Sequence, residues 1–420
     1  VFSFGFFNPE AIRKFLKYTN EKWDLPPQYV LLAGDANLDY RHYFETKKQN
    51  VAPVYLDRTL ELGLTPSDNW YGGGDGDDRV PELYIGRIPG DSTATVSAIV
   101  NKMIRYESTQ NQDSAGALFV ADDDDPLFET LSDSLASYLP ATFTAEKIYT
   151  RLYGNLSNAT KDIQAFVTQG MLITSFVGHG DVTRWGAEPF GGGDYILEPA
   201  DLDAMTNKNR LTFVLPLDCL NGYFSQPFQY CLAEEWVRAE KGGAVACFAP
   251  SGLSHQWEHE FISQIIFSKI FLDSENRLGV IATQSKVDAY YAGASDNVLI
   301  SFNLIGDPAT RLEEDPVRLL RALKLVGQFG FHLEAGLEEA LRPRVDRIGL
   351  ASQSRLFEEL LKILATSRGT AILTALQHHG LLAHYWPALS ALWESPTGEQ
   401  TRHLLAERDR RLEAGAFPPS

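Results

Sequence analysis

The order of apolar and polar positions gives the chain two different characters. Up to residue 313, short and mostly apolar runs closed by Gly, Asp or Pro alternate with stretches of helical period. Apolar runs of this length between turn residues read as buried strands. They cover residues 29–33, 83–89, 117–120, 171–177, 211–217 and 243–248. Helical periodicity covers residues 9–18, with Asn8 as cap and Pro9 in the first position, then 92–107 and 261–271. Strands alternating with helices predict an α/β unit built on a largely parallel sheet. After Glu313 the strand signal stops. Residues 317–326, 334–341, 355–365 and 370–379 carry helical patterns only, so a separate, small all-α unit is expected from residue 313 to 420.

Composition narrows the function classes. Of the 420 residues 44% are apolar and 22% charged, ordinary values for a globular protein. No apolar run approaches the ~18 residues of a membrane span. The net charge is −18 and is unevenly distributed. Residues 1–313 hold 24 Lys and Arg against 42 Asp and Glu, whereas residues 314–420 hold 13 of each. A front part this acidic is poorly suited to a phosphate backbone. Val1 opens the chain without an initiator Met, which suggests a fragment, and nothing near it resembles a signal peptide.

Three cysteines are too few for a disulfide framework. Cys231 and Cys247 lie in apolar sequence and read as core. Cys219 differs, because it follows the run 211–217 directly after Asp218. Forty residues earlier, His179 follows the run 171–177 inside Gly178-His179-Gly180. Alone, the first pattern describes many core cysteines and the second many surface turns. Together, at the carboxyl ends of two buried strands, they form a candidate nucleophile and base. Asp75, Asp77 and Asp78 lie in a Gly-rich acidic turn, which reads as a solvated turn or as oxygen ligands for a structural Ca²⁺. No Cys/His cluster has zinc-ligand spacing.

Read in order, the front part resembles the gingipain-like cysteine peptidases, family C25 of the caspase-like fold. The resemblance rests on PEAIRKFL at 9–16, YVLLAGD at 29–35, SDNWY at 67–71 with Asp75–Asp78, and IGRIP at 85–89. It continues with Gly178–Gly180 and Trp185, CLNGYF at 219–224, APSGLS at 249–254 and NLIGDPATRL at 303–312. It implies two α/β subdomains, residues 1–112 and 113–312, the first lacking a strand and helix that precede Phe2-Ser3-Phe4-Gly5. It also implies a cysteine endopeptidase acting on proteins or peptides, secreted or at a bacterial cell surface, with no cofactor needed for catalysis. Cys219 would be the nucleophile and His179 the base, with the Gly180 and Cys219 amides as oxyanion donors. Asp122, or Asp123 in another register of the four-Asp run, would orient the histidine. Trp257 and Ser251 would line the substrate pocket. No acid near residues 126–128 matches the pocket acid of the Arg- and Lys-cleaving members. A noncatalytic module for adhesion or secretion is the alternative.

The back part resembles a different family, the helical region after the catalytic head of bacterial poly(A) polymerases and tRNA nucleotidyltransferases. EDPVRLLRAL at 314–323, SRLFEELL at 354–361, residues 376–382 and Trp386-Pro387 carry it, and Lys324 stands where Arg is common. The carboxylates that hold metal in those enzymes belong to a head absent from this sequence. Residues 314–390 could therefore bind RNA but not transfer nucleotides, and the tight join of unrelated parts suggests a fusion or a chimera.

Overall fold

Among the described residues, ten short strands and the helices between them form the first of two compact units, Val1–Glu313 and Glu314–Ser420. The computed structural model describes residues 2, 6–41, 43–44, 48–73, 79–109, 116–186, 195–208, 210–312, 317–330, 333, 338, 345, 348–349, 351 and 353–415. In the first unit the strands are β1 (Tyr29–Ala33), β2 (Leu56–Thr59), β3 (Gly63–Pro66), β4 (Tyr84–Ile88), β5 (Gly116–Ala121), β6 (Thr144–Tyr149), β7 (Ile173–Val177), β8 (Thr212–Leu217), β9 (Ala244–Pro250) and β10 (Phe302–Ile305). The helices are α1 (Pro9–Lys22), α2 (Thr93–Thr109), α3 (Pro126–Ala136), α4 (Leu156–Gln169), α5 (Pro199–Leu202), α6 (Leu232–Arg238), α7 (Gln256–Phe271), α8 (Leu278–Tyr291) and α9 (Asp296–Ser301).

Eight strands make one sheet in the order β1-β4-β10-β9-β8-β7-β5-β6. Every neighbouring pair is parallel except β9 with β10. Strands β5, β7, β8 and β9 are buried at every position. A parallel sheet covered on both faces needs apolar residues on both sides of each strand, which is why these segments read as mostly apolar runs. The boundary expected near residue 112 falls between α2 and β5, where the chain passes from one end of this sheet to the other. Both halves therefore share a single sheet. The β2–β3 hairpin was not legible, since neither LDRT nor GLTP forms an apolar run. The hairpin turns at Gly63, whose φ of +88° suits glycine.

Local signals set the helix starts. The Asn8 side chain accepts the Glu10 N–H at 2.9 Å, and Pro9 occupies the first turn of α1. Asp125 accepts the Leu127 N–H at 2.9 Å and caps α3, with Pro126 next. That cap fixes the register of the preceding Asp run.

Several motifs of the sequence meet at one buried ion pair. Arg87 of IGRIP is fully buried on β4, and its guanidinium forks onto both Asp68 carboxylate oxygens at 2.7 Å. The same group donates to the carbonyls of Gly34, Ala52 and Pro53. Asn303, from β10, accepts the Asp68 N–H at 2.8 Å. SDNWY, YVLLAGD, IGRIP and NLIGDP are thus joined by hydrogen bonds around one guanidinium.

The second unit is helical over Val317–Phe329, Gln353–Leu364, Gly369–His378, Leu381–Tyr385, Pro387–Trp393 and Pro396–Glu413. Leu320, Leu323, Ile363, Ile372, Leu376, Leu382 and Trp393 belong to a core of its own. The helix expected at 334–341 lies almost wholly outside the described residues. No helix among the described residues is long and apolar enough to cross a membrane.

Candidate active site

The carboxyl ends of β5, β7 and β8 lie side by side and carry the candidate residues. Val177 of β7 is the register partner of Leu217 of β8, so His179 and Cys219 each stand two residues beyond a paired position on adjacent parallel strands. Such strands run about 4.8 Å apart. The two loops also touch directly. A Cβ added to Gly180 would lie 2.3 Å from Asp218 Oδ2, and one added to Gly178 would lie 2.5 Å from the Asp122 Cβ. Glycines flank His179 because its loop packs tightly between two carboxyl-bearing residues, a reason the sequence did not show.

The Asp run divides its work. Asp122 is buried, and its carboxylate accepts the backbone N–H groups of Asp123 at 3.0 Å and His179 at 3.2 Å. Burial pushes its pKa up to about 6, against the lowering effect of those two bonds. It therefore holds the histidine's backbone. The carboxylate that faces the imidazole is that of Asp124, 3.7 Å from His179 Nε2, with the ring 48% exposed. Asp123 is exposed. Phe128, in the first turn of α3, sets its ring edge-on to the imidazole at 5.7 Å. The sequence reading gave Asp124 and Phe128 no role.

The cysteine sits in a tight turn after β8. Leu220 adopts φ +65°, a strained conformation for a leucine, and its N–H reaches Gly252 O at 3.1 Å. The Cys219 thiol lies 3.7 Å from Ser254 O. Burial raises its pKa to about 11, with a backbone hydrogen bond at Ser254 opposing and Asp218 adding to the rise. At neutral pH the group is a thiol. Asp218 is fully buried, neither carboxylate oxygen has a hydrogen-bond partner among the described residues, and burial holds its pKa well above the ordinary range.

Asn221 ties the two loops together. Its side chain accepts the Trp185 Nε1–H at 2.7 Å and donates to the carbonyls of Asp181 at 2.6 Å and Arg184 at 3.1 Å. Trp185 in turn stacks on Phe176 of β7 at 4.7 Å. The bridge between Gly180 and Trp185 is closed by Gly186 N–H to His179 O and Asp181 N–H to Arg184 O. Among the described residues, the Gly180 and Cys219 N–H groups have no backbone acceptor. Asn221 was visible only as part of the CLNGYF string.

Trp257 is 51% exposed in the first turn of α7, three residues after Ser254. Ser251 departs from expectation. It is fully buried, and its hydroxyl lies between Pro66 O at 2.6 Å, Ser301 O at 2.9 Å and the Asn303 side-chain amide at 3.0 Å. It braces the packing behind β9 rather than a pocket wall. A cavity of about 440 Å³ opens beside the same loops, between Thr183 and Arg184 on one side and Phe228, Gln229 and Tyr230 on the other. Asp75, Asp77 and Asp78 lie outside the described residues. In the second unit, Glu338, His378 and His379 bring one ligand atom each within 4.8 Å of one another, a grouping that spacing did not reveal. Lys324 lies 3.6 Å from Glu359, which also meets Lys362 at 3.0 Å.

Known proteins agree with this architecture. The sequence model of peptidase family C25 matches residues 1–313. The chain belongs to peptidase family C25. Gingipain R2 of Porphyromonas gingivalis is 26% identical over 327 residues, covering 71% of this chain and 39% of the gingipain. Lys-gingipain W83 of the same organism is 23% identical over 246 residues, covering 55% of this chain and 14% of its own length. The chain thus spans well under half of the curated gingipains it matches. The crystal structure of the Arg specific cysteine proteinase gingipain R shares the caspase-like fold, with a TM-score of 0.58 at 23% identity over 72% of this chain and 68% of that one. At the other end, a sequence model described as the probable RNA and SrmB- binding site of polymerase A matches residues 330–392. Poly(A) polymerase I of Haemophilus influenzae is 36% identical over 102 residues, which is 24% of this chain and 23% of the polymerase.

Proposed function

We propose that residues 1–313 form a cysteine endopeptidase in which Cys219 attacks the peptide carbonyl and His179 takes and returns the proton. The observation that carries this reading is the register of β7 with β8, which sets both residues at one rim of the sheet. A thiol with its pKa raised to about 11 must lose its proton as it attacks, so His179 acts as a general base rather than as half of a preformed ion pair. Attack gives a tetrahedral oxyanion that carries both the cysteine sulfur and the amide nitrogen, and its collapse expels the amine, protonated by His179, leaving a thioester that water hydrolyses. The N–H groups of Gly180 and Cys219, which have no backbone acceptor among the described residues, suit the oxyanion, each donor worth about 3–4 kcal/mol of barrier. Asp124 is the better placed partner for the imidazole, and Asp122 holds the histidine's backbone. Substrates are proteins or peptides, and the exposed Trp257 offers a surface for them. By kinship with the gingipains, the setting is secretion or the cell surface.

The test is cleavage of a mixed fluorogenic peptide library by the full chain, with and without iodoacetamide, beside Cys219→Ala. Cleavage that alkylation and the variant both abolish supports the reading. A folded protein that cleaves nothing favours a noncatalytic module. For residues 314–390 the polymerase match favours RNA binding, which filter binding with single-stranded RNA at two salt concentrations would read.

A further inference from the structure

One polar chain behind the nucleophile remains without a role. His259 is buried in the first turns of α7, edge-on to Phe302 at 6.0 Å, and its Nε2 lies 2.9 Å from Ser254 Oγ. Ser254 Oγ lies 3.4 Å from the carbonyl oxygen of Asp218. That carbonyl belongs to the peptide group whose N–H is that of Cys219.

Proton counting fixes the direction of this chain. A peptide carbonyl only accepts, so the single Ser254 hydroxyl proton points at Asp218 O. The hydroxyl oxygen must then accept from His259, which carries its proton on Nε2. The buried imidazole, with its pKa pushed down to about 4 by burial, is neutral and has one N–H to give. The run is His259 Nε2–H to Ser254 Oγ–H to Asp218 C=O. A hydrogen bond at the carbonyl end of an amide draws electron density from its N–H end, and successive bonds of one direction reinforce one another.

We propose that Ser254 and His259 are positioning residues of the oxyanion site, whose hydrogen-bond chain orients and polarises the Cys219 N–H. This rests on the peptidase reading for its catalytic meaning, but the polarisation itself is a property of the resting protein. Neither side chain needs to touch substrate. Strengthening by a tenth to a third of one oxyanion donor corresponds to about two- to eightfold in kcat.

The experiment labels the full chain with ¹⁵N-cysteine, which gives amide signals from Cys219, Cys231 and Cys247 only. Ser254→Ala is expected to move the Cys219 amide upfield and leave the other two in place. Ser254→Thr, which keeps the hydroxyl, is expected to restore the signal. In parallel, Ser254→Ala is expected to lower kcat for peptide cleavage about two- to eightfold at little changed KM. The rate of Cys219 alkylation by iodoacetamide, a reaction with no oxyanion, is expected to stay within about twofold. A stationary Cys219 amide in Ser254→Ala overturns the proposal. So does a parallel fall of alkylation and cleavage, which would place Ser254 on the thiol or on the fold. If the amide moves while the wild-type protein cleaves no peptide, the hydrogen-bond chain stands and the peptidase reading falls.

Discussion

Two carboxylates two residues apart do different work beside His179, and substitution separates them. Asp122→Asn places an amide NH₂ against backbone N–H groups that now share a carboxylate. One of them loses its acceptor, at a cost of about 1–3 kcal/mol. The variant should melt lower and lose activity with it. Asp124→Asn removes only a half-exposed charge near the imidazole. Its stability should stay within about 0.5 kcal/mol of wild type, while kcat falls, and thermal melts beside kinetics would check both. The cysteine gives a pH test. With the thiol pKa raised to about 11, the thiolate fraction rises about tenfold per pH unit between 7 and 9. Alkylation of Cys219 should follow that slope, and a plateau near pH 7 would show an ion pair instead. At this scale the placing of Cys219 and His179 just past two strands was legible, because each follows a mostly apolar run. It was silent on Asp124, because four consecutive Asp residues look alike until the Asp125 cap of α3 sets their register.

The elements that matter are joined by polar groups at the ends of strands. Arg87 and Asp68 connect the loop before β4 with the sheet, and Asn221 connects the loops after β7 and β8. Arg87→Met leaves the Asp68 carboxylate buried without its partner, which should cost about 3–5 kcal/mol in denaturant unfolding. Asn221→Ala orphans the Trp185 N–H and the two carbonyls it serves, so destabilisation of about 1–3 kcal/mol or more is expected. It should also loosen the His179 loop and lower kcat. The central strands were legible because a doubly covered parallel sheet needs apolar residues on both faces. The β2–β3 hairpin and β10 were not. The hairpin's strands are four residues each with no apolar run, and the four residues of β10 follow directly on α9. Ser251 shows the limit of reading a motif as a site, since APSGLS combines a residue that braces β9 with one, Ser254, that meets the Cys219 turn.

Over the whole molecule, the change of character at Glu313 coincides with the division into two units, each with its own core. Separate cores predict two transitions in calorimetry of the full chain, and one cooperative transition would contradict that. The single eight-stranded sheet exists because β10, from the end of the first unit, inserts between β4 and β9. That long-range pairing cannot be seen in any local pattern. The same sheet brings His179 and Cys219 to one rim, and the catalytic proposal depends on their acting together. The most direct measurement is kcat/KM of the wild type, Cys219→Ala, His179→Ala and the double variant on one cleaved peptide. Groups that act as a unit give losses that do not add, so the double variant should be no slower than either single one. Losses that add in free energy, or cleavage by Cys219→Ala at the wild-type rate, would contradict the account.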